Sequence, residues 1–245
     1  MNLIISDTAE EMAQRVADGV STYMSSRENP LFCPASGDTP AALYREMQAR
    51  VKDNRLDVSS WHFIGLDEWV GMNGGDEGSC RYYLDRDLFH PLMIGEGRIC
   101  FFDGRVEDPA AECARGEGFI KDRGGIDVAI LGIGTNGHIA MNEPGTSPDV
   151  RCHISVLHPS TKATGQKYFS SYQPLTYGIT LGLGNLLEAR QLYLLAIGEH
   201  KADIVQKALE GPISEVLPAS LLRDHPGLHV YLDKAAARAL SINKK

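Results

Sequence analysis

The sequence predicts a single α/β domain with a mostly parallel sheet flanked by helices. Short apolar runs alternate with stretches of helical periodicity along the whole chain, the pattern of βαβ units. Glycine-bearing loops leave the carboxyl ends of three of those runs, at 34–39, 66–75 and 132–145. Ligands on parallel sheets sit beyond that end of the strands, so the three loops are expected to converge on one site.

Met1 to Ile5 reads as a short strand and not as a secretory leader. Ser6 to Thr8 supplies a cap, after which Met12, Ala13, Val16, Ala17, Val20 and Met24 fall at helical spacing. Leu31 to Cys33 is a strand stopped by Pro34. The turn Ser36-Gly37-Asp38-Thr39 leads to Pro40, a favourable first helical residue, and a helix to about Val51. Trp61 to Leu66 is a strand, Ser79 to Phe89 a helix, Arg98 to Phe101 a strand, Asp108 to Asp122 a helix and Ile126 to Leu131 a strand. Ile154–Leu157, Gly178–Leu181 and Gln191–Ile197 are further strands. Helices at about Lys201–Leu209 and Ala219–Asp224 precede a last strand, Leu228 to Leu232. No linker, repeat or low-complexity segment divides the 245 residues.

A net charge of −8 with no long basic run argues against nucleic acid or an anionic membrane as partner. Any positive field for an anionic substrate must then be local. The five cysteines, Cys33, Cys80, Cys100, Cys113 and Cys152, form no Cys-x-x-Cys pair and read as reduced thiols of a cytoplasmic protein. No apolar run approaches the ~20 residues of a membrane span.

The richest stretch is Asp127 to Pro144, in which a buried strand runs into Gly132, Gly134 and Gly137, then His138 and Glu143. Its Gly-x-Gly-x-x-Gly does not point to a dinucleotide. Pro144 follows too soon for a long helix, and positions 152–158 lack the acidic residue that would hold a ribose. The glycines instead suit a tight loop that a small ligand can approach. His138 beside Glu143 is a proton-transfer pair, or else a surface histidine next to a turn glutamate. Asp67 and Glu68 point to opposite sides in extended geometry, so one can face a site while the other anchors a loop. A positioned carboxylate can remove a proton next to a carbonyl; the plainer reading is a solvated strand end. The 36–40 turn offers hydroxyls and backbone N–H groups to a phosphate, or is an ordinary capped helix start, and Asp38 must then point away. Lys201 follows a strand and can add positive charge. Neither metal-ligand spacing nor a nucleophile elbow is present.

These segments together resemble the glucosamine-6-phosphate deaminase/isomerase family, which is grouped with 6-phosphogluconolactonase and ribose-5-phosphate isomerase. The resemblance runs from about Asp7 to Asp233. It rests on Ser36–Pro40, Leu66–Gly71, Gly132–Pro144, Gly178–Gly182 and Gly198–Ala202, and above all on Gly-His-Ile-Ala-Met-Asn-Glu-Pro-Gly from Gly137. Lactonases share the Gly-His part but continue differently, so Asn142-Glu143-Pro144 favours the deaminase branch. Leu66–Val70 and Cys152–Ser155 look closer to proteins assigned to galactosamine 6-phosphate.

The resemblance implies a Rossmann-like domain of deaminase/ribose-5-phosphate isomerase type over 1–245, with a lid at about 157–177. It implies a 2-amino-2-deoxyhexose 6-phosphate as substrate and neither metal nor organic cofactor. Asp67 would move the proton between C2 and C1, and His138, tuned by Glu143 and Asn136, would open the ring. Ser36, Gly37, Thr39, Glu68, Gly134, Gly137, Lys167 and Lys201 would bind the substrate and its phosphate. A lactonase using His138 as base, and a sugar-phosphate sensor without turnover, are the competing functions.

Two departures bear on the chemistry. Asn136 stands where the family often has Asp, which should leave His138 less basic. Lys167 stands where better-known members have Arg, which keeps the charge but loses the bidentate fork. A homo-oligomer stays open. The surroundings of His153, Ser155 and Val156 lack the basic residues of the allosteric phosphate site in regulated members. Adding N-acetylglucosamine 6-phosphate should therefore leave the substrate saturation curve unmoved; a large leftward shift would contradict this.

Overall fold

The computed structural model describes residues 1–243; the last two residues of the expected domain range lie outside the described residues. The chain opens with β1 (Asn2–Ser6), α1 (Ala9–Ser25), β2 (Leu31–Cys33), α2 (Ala41–Lys52) and β3 (His62–Ile64). It continues through β4 (Asp67–Trp69), α3 (Cys80–Leu84), β5 (Ile99–Cys100), α4 (Pro109–Asp122) and β6 (Val128–Gly132). Then follow β7 (His153–Val156), α5 (Pro159–Gly165), β8 (Tyr177–Thr180), α6 (Leu183–Leu187) and β9 (Gln191–Ala196). The chain ends with α7 (Ala202–Glu210), α8 (Pro218–Leu221), β10 (Leu228–Asp233) and α9 (Lys234–Ala237).

Seven strands form one parallel sheet in the order β1-β10-β9-β6-β2-β3-β5. Its central strands are apolar on both faces because helices cover both; Val128 to Leu131 are all buried. Thr8 caps α1 by accepting the Glu11 N–H, and the Glu11 carboxylate accepts the Asp7 N–H at 2.8 Å. The apolar stripe of α1 is buried as its spacing predicts. Phe32, Trp61, Phe63 and Phe89 pack ring against ring on the β2–β3 side.

β2 and β6 are neighbours, but the order runs on from β2 to β3 and β5, and from β6 to β9, β10 and β1. The connections diverge there, which opens a crevice at the carboxyl ends of the two strands.

A second sheet, β4-β8-β7, is antiparallel and was not expected from the sequence. The predicted strand Trp61–Leu66 ends early, at Ile64. Gly65 follows, and a Cβ there would lie 2.7 Å from the Phe101 ring. The chain turns past that ring, and Asp67–Trp69 pairs with β8 instead of extending the large sheet. Pro40 precedes the helix rather than starting it, and α5, α6 and α9 are short helices the sequence did not signal. Asn142 ties the loop after β6 to the end of β8: its Nδ2 donates to Ile139 O at 3.0 Å and to Leu181 O at 2.9 Å. Met141 packs its sulfur where Gly178 has no side chain.

Glu68 was expected at the substrate, and the structure places it elsewhere. It is fully buried, and its carboxylate accepts the N–H groups of Trp69 (2.8 Å), Cys80 (2.9 Å) and Arg81 (2.9 Å). Burial pushes its pKa up to about 7, against the pull of those three donors. Strand alternation turns Asp67 and Glu68 to opposite faces, so Glu68 ties β4 to the start of α3. Glu68→Ala should strand buried donors and cost on the order of 3 kcal/mol, read as a lower urea midpoint. An unchanged midpoint with a raised KM would return Glu68 to the substrate.

Candidate active site

A cavity of about 560 Å3 opens at the carboxyl ends of β2, β6 and β9, at the crevice where the connections diverge. Ser36, Asp38, Thr39, Asp67, Gly134, His138, Lys167 and Lys201 all line it. All of these except Asp38 had been drawn by the sequence from five separate segments, and the fold brings them together.

After β2 the chain makes the 36–40 turn, with Gly37 at φ +94°, a conformation that suits glycine. No side chain caps the start of α2, and its first N–H, that of Ala41, donates to Asp38 O at 3.3 Å. Lys201, after β9, donates from Nζ to Ile133 O at 2.7 Å, and burial pulls its pKa below the ordinary lysine range. Lys167 lies in the 157–177 segment and pairs with Asp38 at 2.7 Å. Burial pulls Lys167 down, but the Asp38 carboxylate and the Tyr168 hydroxyl together hold it above the ordinary range. Asp38 was expected to point away from the site; its carboxylate lines the cavity and is turned to the Lys167 ammonium.

Asp67 opens β4 and is 9% exposed, with its side chain on the cavity. Burial pushes its pKa up to about 6, opposed by a hydrogen bond from the Cys80 thiol. The carboxylate in turn raises the pKa of buried Cys33 and Cys80, beyond the effect of burial itself.

His138 stands opposite on the loop after β6. Its imidazole lies over Gly134, where a Cβ would collide with the ring. Nδ1 is 2.6 Å from Asn136 Oδ1, and Asn136 Nδ2 donates to Glu143 Oε2 at 2.8 Å. A carboxylate can only accept, so the amide must present N–H to Glu143 and its oxygen to the imidazole. Nδ1 therefore carries the proton, and the Nε2 lone pair is left without a partner among the described residues. Glu143 is also held by the His158 N–H, and its Oε2 lies 3.6 Å from His138 Nδ1. Burial draws the His138 pKa down, Glu143 opposes this, and Lys201 and His158 reinforce it. The net shift, led by burial, favours the uncharged imidazole. Ala140, on the same loop and lining the cavity, sits at φ +53°, a strained position for a residue with a side chain.

Two further expectations are corrected. Gly137 does not reach the cavity; at φ +85° it turns the loop, and its missing side chain leaves room for Leu217. Gly37 shapes the 36–40 turn without lining the cavity itself. Thr161 was missed. It is buried on α5, and its Oγ1 is 3.2 Å from His138 Nδ1. Tyr168 was missed as well; its hydroxyl would lie 2.7 Å from a Cβ on Gly37. Both sit in the 157–177 segment, whose polar composition hides how it folds over the site.

The family model of glucosamine-6-phosphate isomerases/6-phosphogluconolactonase matches residues 5–230. A glucosamine-6-phosphate deaminase of Clostridium botulinum (strain Kyoto / Type A2) is 35% identical over 243 residues, covering 99% of this chain and all of that protein. One from Bacillus velezensis is 34% identical over 238 residues, covering 97% and 99%. Among solved structures, a monomeric glucosamine-6-phosphate deaminase superposes with a TM-score of 0.94 at 32% identity, covering 98% of this chain and 100% of that one. A 6-phosphogluconolactonase from Trypanosoma brucei has a TM-score of 0.75 at 20% identity and shares the fold. The chain belongs to the glucosamine-6-phosphate isomerase/6-phosphogluconolactonase family.

Proposed function

We propose that the chain is an enzyme that isomerises and deaminates a 2-amino-2-deoxyhexose 6-phosphate, giving a ketohexose 6-phosphate and ammonia. One observation carries this: a buried aspartate with a raised pKa and an imidazole with a protonated Nδ1 open onto the same cavity as two lysines and the Ser36–Thr39 turn. The relatives of about 35% identity are named for glucosamine 6-phosphate, and we take that epimer as the preferred substrate over galactosamine 6-phosphate. Lactone hydrolysis would use His138 alone and leave the buried Asp67 without a task.

Ser36, Thr39, Lys167 and Lys201 hold the phosphate and fix the other end of the sugar between Asp67 and His138. His138 Nε2 takes the proton of the 1-hydroxyl and returns it to the ring oxygen, which opens the ring. Asn136 passes the influence of the Glu143 carboxylate to Nδ1–H and steadies the transient imidazolium. Asp67 then removes the C2 proton while the carbonyl oxygen at C1 takes up a proton given by the substrate's ammonium group, which forms the enolamine; Asp67 delivers its proton to C1, and the nitrogen lone pair forms a C2 iminium. Water adds at C2 and ammonia leaves, with no change in the overall redox state. The 157–177 segment serves as the lid, bringing Lys167, Thr161 and Tyr168 over the substrate. The relative with the TM-score of 0.94 is described as monomeric, and we take a single copy to be sufficient. No helix among the described residues is long and apolar enough to cross a membrane. The five free cysteines fit a reducing compartment, and we assign the chain to the cytoplasm.

Asp67→Asn should lower kcat by ~10²–10⁴-fold, with a much smaller change in KM. Ammonia release from glucosamine 6-phosphate in a coupled assay reads this directly, and undiminished turnover would remove Asp67 from the mechanism. The pH profile gives a separate check. The base works ionised, and burial raises its pKa to about 6. Lowering the pH through 6 should therefore protonate it, and kcat/KM should fall by about tenfold for each further unit. A profile flat down to pH 5 would place the base elsewhere.

A further inference from the structure

The phosphate turn contains a residue with the wrong charge for its site. Asp38 sits between Gly37 and Thr39, lines the cavity, and holds Lys167 Nζ at 2.7 Å. The pair bridges the 36–40 turn and the 157–177 segment, 129 residues apart in sequence. Neither partner is locked in place, since the Lys167 and Asp38 side chains are 49% and 72% exposed. Lys167 also stands 4.7 Å from the Tyr168 ring centre, and Tyr83 Oη donates to Tyr168 O at 3.2 Å, so the segment stays docked around the pair.

We infer that Asp38 is a built-in competitor for the cation that receives the substrate's phosphate, and so sets the affinity of this site for phosphate monoesters. This rests on the proposed amino-sugar-phosphate function. A phosphate arriving at Lys167 meets an ammonium already paired with a carboxylate. It must take over that contact and then sit beside the displaced anion. With Asp38 present, two ammonium groups face the phosphate against one opposing carboxylate; without it, they face the phosphate unopposed. An exposed ion pair is easily exchanged, so the competition lowers affinity without blocking the site. When the phosphorylated product leaves, the same carboxylate takes Lys167 back. Asp38 is thus a specificity-determining residue for the anion, and it has no part in the proton transfers.

The test is calorimetric titration of the full chain with inorganic phosphate, in four forms: unaltered, Asp38→Asn, Lys167→Met, and the double variant. Asp38→Asn should bind phosphate on the order of tenfold more tightly at low ionic strength, and the gain should shrink as salt is added. On the Lys167→Met background the same change should give about twofold or less, because the contested cation is gone. KM for glucosamine 6-phosphate should fall in parallel in Asp38→Asn. Unchanged or weaker phosphate binding by Asp38→Asn overturns the inference, as does an equal gain with and without Lys167. If the unaltered chain binds no phosphate, the anchor itself fails, and with it the proposed function. Phosphate binding that Asp38→Asn does not tighten sinks the competitor alone.

Discussion

The site depends on the side-by-side pairing of β2 and β6, through Phe32 with Val128 and Cys33 with Ala129. From that contact the two chain segments must part, because their next partners lie on opposite flanks of the sheet. The gap at their carboxyl ends cannot be closed by either connection, and the space left there is the cavity. The turn carrying Ser36 and Thr39 leaves one side of the gap and the loop carrying His138 leaves the other. The proposed anchor and proton carrier are therefore both set by backbone hydrogen bonds within buried strands.

Within that frame, the electrostatics separate two proton-carrying groups that would otherwise resemble any exposed carboxylate and histidine. Burial raises Asp67 toward neutrality and lowers His138 away from it. Asp67 is thereby brought nearer to neutral pH, while His138 is held in its uncharged form. Asn136 adds direction, because its amide can satisfy both Glu143 and Nδ1 in one orientation alone. An aspartate there would bring a second negative charge to the imidazole and strengthen its basicity.

Much of this was legible in the sequence wherever a residue type admits few explanations. Val128 to Leu131 could only be a covered strand, and the glycine at 134 forecast a close approach that proves to be the His138 ring. Strand alternation alone reduced Asp67 and Glu68 to one site residue and one anchor without choosing between them, while the family resemblance named Asp67 as the base and set both at the substrate. That choice depends on β4 leaving the large sheet at Gly65, a steric event set by Phe101 far along the chain. Helices as short as α5, α6 and α9 contain too few residues to show a period, so Thr161 had no local signature. The direction of the Asp38 carboxylate was misjudged because its partner, Lys167, is distant in sequence.

Asp67 belongs to the small antiparallel sheet and His138 to a loop of the large parallel one, with Asn142 and Met141 as the fastening between them. The gap across which a sugar must fit is thus a distance between two separately built bodies. Altering the bulk at that seam would widen or narrow the gap while both reactive groups kept their own surroundings intact. A fold so divided can be refitted to sugars of different outline by changing residues that never touch them.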